Sequence, residues 1–321
     1  LMKILIGLVV PDSGSITIGG ERVTLRDPLD AAVIHDDLYD LMRVRGYTGG
    51  FYLDALAAID IALWDLAGKL AGLPLVKLLG GQRRERIPAY VSGLPERTRA
   101  ARADLAAHWQ ERGFSSFKFA APVADDGLAR EMATLRERLG DSARIACDMH
   151  WAYTAEEAIR HIRAMEPHDL WFAEAPVHTE DVAGLARVAA QVSTTIAAGE
   201  EWRTVYDLVP RVERRACGIV QPEMGHTGVT EFMRIGGYAE AHHLKVIPHA
   251  TIGIGLFLAA SLHASAALAA VDCHEFQHSI FEPNRRLLTG DMDCADGFYT
   301  LPTGPGLGVE PSREALDLLR P

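Results

Sequence analysis

The stretch "IACDMHWAYT", residues 145–154, ends an apolar run abruptly on Asp148 and places His150 two positions later. In an extended strand, side chains two residues apart point to the same side. A carboxylate and an imidazole are therefore expected side by side where a buried strand ends. Because the same pattern recurs along the chain, this stretch decides the fold.

Five further apolar runs each end on an ionisable residue, and these residues are Glu174, Glu200, Glu223, His249 and Glu275. Counted from Asp148, the spacings are 26, 26, 23, 26 and 26 residues. Helical patterns such as "TAEEAIRHIRAM" (154–165) and "TEDVAGLARVAAQV" (179–192) fill the intervals, and several begin near a Thr or Asp that can cap a helix. This regular alternation of strand ends and helical patterns predicts consecutive parallel βαβ units.

Two earlier strands fit at "IPAYVSGLP" (87–95) and "FSSFKFAAP" (114–122), which brings the predicted strands to eight. A series of this length without a glycine-rich phosphate turn favours a closed α/β barrel over an open dinucleotide-binding sheet. Active sites of such barrels lie at the carboxyl ends of the strands. The recurring polar residues all fall at those ends, so we expect them to form one site.

Three carboxylates, Asp148, Glu174 and Glu200, end the third, fourth and fifth predicted strands. Neighbouring strands lie about 4.8 Å apart, so these groups should converge and repel one another. A divalent cation would resolve the repulsion, and all-oxygen ligation suits Mg²⁺ or Mn²⁺ better than Zn²⁺. The alternative is that the carboxylates pair with an arginine such as Arg203.

Glu223 and His249 end the sixth and seventh strands. A carboxylate beside an imidazole fixes its tautomer and raises its basicity, which makes His249 a candidate general base. His150, on the face of the metal ligand Asp148, is a candidate proton donor to a leaving group. The alternative for each histidine is a place in an ordinary loop.

Two further strand-end residues have two interpretations each. Lys118, at the end of the second strand, is either a cation that stabilises an anionic substrate or intermediate, or a surface lysine. Glu275, at the end of the eighth strand, either hydrogen-bonds a developing enediolate while protonated, or orients its neighbours.

Composition narrows the class of protein. The chain has 321 residues, a formal net charge of −11 and no Lys/Arg-rich run, which argues against a nucleic-acid partner. No apolar stretch is long and uniform enough to predict a membrane span. None of the four cysteines forms a C-x-x-C pair, so we expect buried free thiols in a cytoplasmic protein. The expected partner is a small molecule.

The stretch "AIDIALWDLAGKLAGLPLVKLLGG" (58–81), with "GEEW" (199–202), resembles the enolase superfamily in its mandelate racemase-like branch. The resemblance implies a (β/α)7β TIM-like barrel with an N-terminal α+β capping domain. It also implies one Mg²⁺ per subunit on Asp148, Glu174 and Glu200, and a catalytic pair of Glu223 and His249. Members commonly form dimers or octamers, so a homo-oligomer is expected.

The motif "FKFA" (117–120) narrows the branch, because Lys118 matches the first lysine of the family's Lys-x-Lys pair and Ala120 replaces the second. The loss of that base argues against racemisation. The Asp-x-His pattern at 148–150 resembles galactonate dehydratase-type enzymes. The resemblance thus implies a dehydratase of an aldonate or aldarate, in which His249 removes the proton α to the carboxylate. His150 would help the β-hydroxyl leave, giving a 2-keto-3-deoxy sugar acid.

Two departures from the family pattern accompany these matches. Glu223 stands in "QPE" where Asp is usual, and Ala175 follows Glu174 where an acid or amide is frequent. The alternatives are a cycloisomerase or epimerase of a related sugar acid or lactone, or an inactive remnant with a damaged cap.

The predicted domains are a cap over residues 1–82, a barrel over 83–300, and a segment over 301–321 that returns to the cap. Residues 27–80 match the helical part of the cap, whereas 1–26 resemble a segment of a sugar-import ABC ATPase, so we expect a shortened cap. Alternatively, 1–26 form a β-hairpin with turns at "PDSG" and "IGGE". In "RVRGYTGGFY" (43–52), Arg45, Tyr47 and Tyr52 are predicted to contact substrate, the alternative being an interhelical loop.

Overall fold

A computed structural model of the chain describes residues 27–250 and 255–318, together with a short strand pair at 17–18 and 21–22. Strand β1 (Thr17–Ile18) pairs antiparallel with β2 (Glu21–Arg22), where the hairpin alternative for 1–26 places its "IGGE" turn. The rest of the segment that resembles an ABC ATPase lies outside the described residues.

Eight short strands form the barrel: β3 (Arg86–Ser92), β4 (Ser116–Ala120), β5 (Arg144–Asp148), β6 (Leu170–Glu174), β7 (Thr195–Ala198), β8 (Ile219–Val220), β9 (Lys245–Val246) and β10 (His274–Gln277). Each strand from β3 to β8 pairs in parallel with the next, and β10 pairs in parallel with β3. A bridge between Val246 and Val271 closes the remaining gap. The predicted closed barrel is therefore confirmed.

Twelve α-helices occur in the described residues: α1 (Ala31–Arg43), α2 (Gly50–Ala71), α3 (Leu75–Leu78), α4 (Arg99–Glu111), α5 (Leu128–Leu139), α6 (Ala155–Met165), α7 (Val182–Gln191), α8 (Val205–Glu213), α9 (Met224–Ala241), α10 (Leu256–Ala267), α11 (His278–Arg285) and α12 (Arg313–Leu318). Four short strands complete the set: β11 (Leu288–Thr289), β12 (Asp293–Ala295), β13 (Phe298–Thr300) and β14 (Glu310–Pro311). Within this part of the chain, no helix is long and apolar enough to cross a membrane.

The helices between strands begin where their capping residues place them. Thr154 and Glu157 form a capping box at the start of α6, and Thr204 and Asp207 form one at the start of α8. Helix α9 begins at Met224, because the Glu223 side chain accepts a hydrogen bond from the Gly225 N–H and caps the helix there.

The barrel interior is apolar beneath the strand ends. One buried cluster fills it, made of Tyr90, Ala146, Phe172, Ala197, Ile219, Ile247 and Cys273. A larger core lies between the strands and the surrounding helices. All four cysteines are buried and free, as the sequence predicts.

The chain after the barrel returns to the cap. The Leu75 N–H donates to the Gly306 carbonyl at 2.8 Å, and the Leu307 N–H donates to Asp65 Oδ1 at 2.8 Å. Gly306 has φ +66°, and a Cβ there would lie 2.2 Å from Asp65 Oδ1, so the close approach requires glycine. These contacts support the division into cap, barrel and returning segment that we propose.

A buried histidine gives the fold a predictable pH dependence. The Ser261 hydroxyl lies 2.8 Å from His274 Nε2, Nδ1 lies 3.0 Å from the Glu275 carbonyl oxygen, and burial lowers the pKa of His274 to about 4. Between pH 4 and 6.5 the unfolded chain binds the extra proton, so stability is present above this window and is lost as the pH falls through it. We expect His274→Gln to remove about 1.4 kcal/mol per pH unit from the slope of unfolding free energy there.

Chemical denaturation of both proteins between pH 4 and 8 measures this slope. His242→Gln, an exposed substitution at the end of α9, is the control and should leave the slope unchanged. An identical slope in His274→Gln and the original protein would contradict the prediction.

Candidate active site

The three predicted metal ligands converge at the carboxyl ends of adjacent strands. Asp148 and Glu174 end β5 and β6 and are paired in register, and Glu200 follows β7. One carboxylate oxygen from each lies within 4.8 Å of the others. Asp148 is 7 % exposed and Glu174 is 0 % exposed, so this cluster is not a solvated acidic patch. Parallel strands bring these carboxylates together, as the spacing predicts.

A buried lysine, rather than an arginine, partly neutralises the cluster. Lys118 Nζ lies 2.6 Å from Glu174 Oε1 and 3.1 Å from Glu275 Oε1, and the residue is 3 % exposed. The surface-lysine alternative is therefore wrong. Arg203 instead contacts Asp54, with its Nε 2.9 Å from Oδ1, so the expected alternative of an arginine on the carboxylates is also wrong.

The cluster fits a hard divalent cation. Burial raises the pKa of the Glu174 carboxyl to about 8, even though Lys118 pulls it down, so one ammonium does not balance the surrounding negative charge. The Gln221 side-chain amide donates to Glu174 Oε2 at 2.6 Å and fixes that carboxylate. All three converging donors are oxygens, which Mg²⁺ prefers. Asp148, Glu174 and Glu200 are thus the residues that would hold Mg²⁺.

The histidine at the end of the seventh strand pairs with the acid at the end of the sixth. His249 Nδ1 lies 2.7 Å from Glu223 Oε2, and Nε2 lies 2.6 Å from Glu200 Oε2. Burial would lower the pKa of His249, but the surrounding carboxylates, Glu275 first among them, raise it well above its usual value. The extra methylene of glutamate at position 223 does not prevent the contact.

His150 lies beside Asp148 for a reason other than strand alternation. Strand β5 ends at Asp148, and His150 adopts a left-handed conformation with φ 51°. Its backbone N–H and its ring Nδ1 each lie 3.0 Å from Asp148 Oδ1. This hydrogen bond raises the pKa of His150, and the ring is 44 % exposed. The expected juxtaposition is present, but a tight turn after the strand produces it.

Glu275 lies beside the Lys118 ammonium and accepts a backbone hydrogen bond. Burial would raise the pKa of its carboxyl, but Lys118 and His249 outweigh that effect and hold the pKa at about 2. The Ala250 N–H donates to Glu275 Oε2 at 3.0 Å. These contacts favour the orienting role over that of a protonated hydrogen-bond donor, and the role of Glu275 stays a prediction.

The predicted substrate loop is tied to the cap helices. Arg45 donates to the Leu41 carbonyl at 2.6 Å, and the Tyr52 hydroxyl donates to the Leu38 carbonyl at 2.5 Å. The Tyr47 ring packs against Tyr52 at 5.9 Å and is half exposed. The assignment of these residues to substrate binding stays a prediction.

Sequence reasoning missed several polar residues around the site. Gln221 lies two positions before Glu223, so the period-two rule that singled out His150 could have found it. Asp54 and Asp60 come from the cap helix α2, and nothing in their local sequence connects them to the barrel.

Comparison with known proteins agrees with this geometry. Residues 100–315 match a family described as enolase C-terminal domain-like. Residues 28–80 match the N-terminal domain of mandelate racemase and muconate lactonizing enzyme. Two independent family matches thus cover the cap helices and most of the barrel.

Individual relatives include two named enzymes. The chain is 33 % identical to a D-galactarolactone cycloisomerase of Agrobacterium fabrum, over 92 % of this chain and 81 % of the relative. It is 34 % identical to a D-galactonate dehydratase of Ralstonia nicotianae, over 82 % and 74 %.

A solved structure from Sinorhizobium meliloti, named only provisionally as an isomerase, shares 79 % identity with a TM-score of 0.91. The match covers 92 % of this chain and 78 % of that one. The cap helices, the barrel and the strand-end residues together are explained by common descent: the chain belongs to the enolase superfamily, in the branch of mandelate racemase and muconate lactonizing enzyme.

Proposed function

We propose that the protein is a Mg²⁺-dependent dehydratase of an acid sugar, an aldonate or aldarate, which it converts to a 2-keto-3-deoxy sugar acid. One observation carries the proposal: two imidazoles flank the same carboxylate cluster. His249 contacts it at Glu200, and His150 contacts it at Asp148. A base and an acid beside one metal-binding cluster are what α-proton removal followed by loss of a β-oxygen requires.

His249 is the proposed general base. Nδ1 lies 2.7 Å from Glu223, so Nε2 is the nitrogen that would accept the substrate proton. Nε2 faces Glu200 at 2.6 Å, a carboxylate that Mg²⁺ would bind, and it must be unprotonated to act as the base. Glu223 is itself held by the Gly225 N–H at 3.0 Å, so the imidazole keeps one orientation. The carboxylate stabilises the imidazolium that forms, which lowers the cost of removing a weakly acidic proton.

Mg²⁺ bound by Asp148, Glu174 and Glu200 would supply positive charge for the substrate carboxylate and for the negative charge that forms as the α-proton leaves. Lys118 donates to one oxygen of the Glu174 carboxylate and Gln221 donates to the other, so the orientation of this carboxylate is fixed. The remaining negative charge of the site makes bound cations necessary for an anionic substrate to enter.

His150 is the proposed general acid. With Nδ1 on Asp148, its Nε2–H is available to the departing β-hydroxyl. The half-exposed ring reaches solvent, from which it can recover a proton after each turnover. The hydrogen bond to Asp148 raises the pKa of His150 above its usual value, which favours the protonated form that an acid needs.

A second candidate is a cycloisomerase, which the similarity to D-galactarolactone cycloisomerase favours. The first step is the same, but the oxygen that leaves is part of a ring. The acid then protonates an oxygen that stays attached to the product, so no water is lost. An epimerase would return only the substrate's epimer.

A panel of aldonates, aldarates and their lactones, incubated with Mg²⁺ and analysed by mass spectrometry, tests the proposal. A 2-keto product lighter than its substrate by one water supports the dehydratase. A 2-keto product of unchanged mass indicates the cycloisomerase. No conversion across the panel by protein that binds Mg²⁺ would contradict both and favour an inactive remnant.

Substituting His150 should separate the two half-reactions. We expect His150→Asn to lower kcat by about 100-fold or more, because the leaving group loses its acid. Asparagine tolerates the left-handed conformation at this position, so folding is preserved. Exchange of the α-proton with solvent deuterium should continue, since His249 remains.

Proton NMR of substrate in deuterium oxide measures exchange and elimination together. His178→Asn, in the exposed loop after β6, is the matched control and should behave as the original protein. Equal losses of exchange and elimination in His150→Asn would show that His150 does not act on the leaving group.

A further inference from the structure

The turn that carries Glu223 is set apart from the rest of its helix. Glu223 caps α9, and its backbone carbonyl accepts a hydrogen bond from the Thr227 hydroxyl at 3.0 Å. At Gly228 the backbone takes φ 66° and ψ −179°, so the helix is kinked after its first turn. The position of the Glu223 carboxylate therefore depends on what holds this short turn.

A carboxylate of the cap holds the kink. Asp60, on α2, accepts the Thr230 N–H at 2.8 Å and the Thr230 hydroxyl at 2.6 Å. It thus caps the part of α9 that restarts after the kink, from a different element. A Cβ on Gly228 would lie 2.7 Å from Asp60 Oδ2, so the glycine is what allows Asp60 to approach the kink this closely.

A second cap carboxylate holds the turn itself. Asp54 Oδ1 lies 2.8 Å from His226 Nδ1, and His226 is three residues after Glu223. The same oxygen accepts from Arg203 Nε at 2.9 Å, and Arg203 is three residues after Glu200. Through Asp54, helix α2 therefore contacts the segments that follow two adjacent barrel strands, β7 and β8.

Stability alone does not account for Asp60. The residue is 0 % exposed, and burial raises the pKa of its carboxyl. Its hydrogen-bond donors are a hydroxyl and backbone amides, and buried His35 nearby also favours its ionised form. Burial of a carboxylate that no cation contacts through a hydrogen bond is costly, and an apolar side chain would avoid that cost.

We infer that Asp54 and Asp60 are positioning residues of the cap. They keep the Glu223 carboxylate within hydrogen-bond distance of His249. The inference rests on the function proposed above. Helix α2 then does more than close the barrel, because it sets the geometry of the base.

Crystal structures of Asp60→Leu and of a control test the inference without substrate, so the result stands whatever the screen of sugar acids shows. Leucine removes both acceptors and is compatible with a buried position. We expect the distance from His249 Nδ1 to Glu223 Oε2, now 2.7 Å, to exceed about 3.5 Å. Mg²⁺ affinity, measured by calorimetry, should change less than about twofold, because the three metal ligands lie on other strands.

Asp65→Leu is the matched control, since Asp65 lies on the same helix but contacts Lys69 and Leu307. If Asp60→Leu does not fold, Thr230→Val removes one of the two hydrogen bonds and should lengthen the same distance by less. With a substrate in hand, kcat of Asp60→Leu should fall by about 100-fold with KM nearly unchanged. An unchanged distance in the folded variants, or an equal lengthening in Asp65→Leu, would overturn the inference.

Discussion

Replacing His249 with glutamine should lower kcat by about 100-fold to 10,000-fold and leave Mg²⁺ binding intact. The imidazole is the proposed acceptor of the substrate proton, and its Nε2 lies 2.6 Å from Glu200, a proposed metal ligand. Glutamine keeps a polar group beside Glu200 but cannot take up a proton. Exchange of the α-proton with solvent deuterium should disappear together with turnover, because both begin with the same step.

Steady-state kinetics on the substrate that the screen identifies, with calorimetry of Mg²⁺ binding, measures both effects. His242→Gln makes the same change on the exposed end of α9 and should have no effect. Persistent exchange in His249→Gln would assign the base to another residue, and loss of Mg²⁺ binding would make His249 a part of the metal site instead.

Removing one metal ligand should have a comparably large effect through a different route. We expect Glu174→Gln to weaken Mg²⁺ binding by more than about 100-fold, since loss of a hydrogen-bond partner around a metal ligand alone costs about 10- to 100-fold. Glu174 is the most buried of the three carboxylates and is held by Lys118 and Gln221, so no other group can readily take its place. Turnover should fall to background, as it should in EDTA.

The same substitution at Glu223 is the control. Glu223→Gln removes a carboxylate that contacts His249 rather than the cluster of ligands, so it should impair turnover and keep Mg²⁺ affinity. Calorimetric titration of the two variants separates metal binding from base orientation. Equal Mg²⁺ affinity in Glu174→Gln and the original protein would refute the assignment of the metal site.

The repeat of strand ends made the barrel and the convergence of its carboxylates predictable. Parallel strands in a closed sheet must bring their carboxyl ends to one rim, so sequence spacing alone places Asp148, Glu174 and Glu200 together. The same rule placed Glu223 beside His249. These features depend on local strand patterns and on the rule that parallel strands of a closed sheet end at one rim. Both can be recognised in a single sequence.

Other features depend on contacts between distant segments. The burial of Lys118 is decided by carboxylates that arrive 56 and 157 residues later. The kink at Gly228 depends on Asp60, which lies 170 residues before its partner Thr230. The left-handed turn at His150 is local, but it was not predictable, because residues other than glycine seldom adopt this conformation and the sequence has no glycine or asparagine at that position.

The hydrogen bonds that join the returning segment to the cap, described above for Leu75 and Gly306, have a consequence during synthesis of the chain. Pro74 and Leu75 leave the ribosome about 230 residues before their partner Gly306. At roughly 5–20 residues per second, that interval is on the order of 10–50 s. For about the first 150 residues of this interval the apolar side of α2 lacks α9, and throughout the interval it lacks the returning segment. The nascent cap therefore exposes apolar surface that can aggregate until the segment around Gly306 completes its burial.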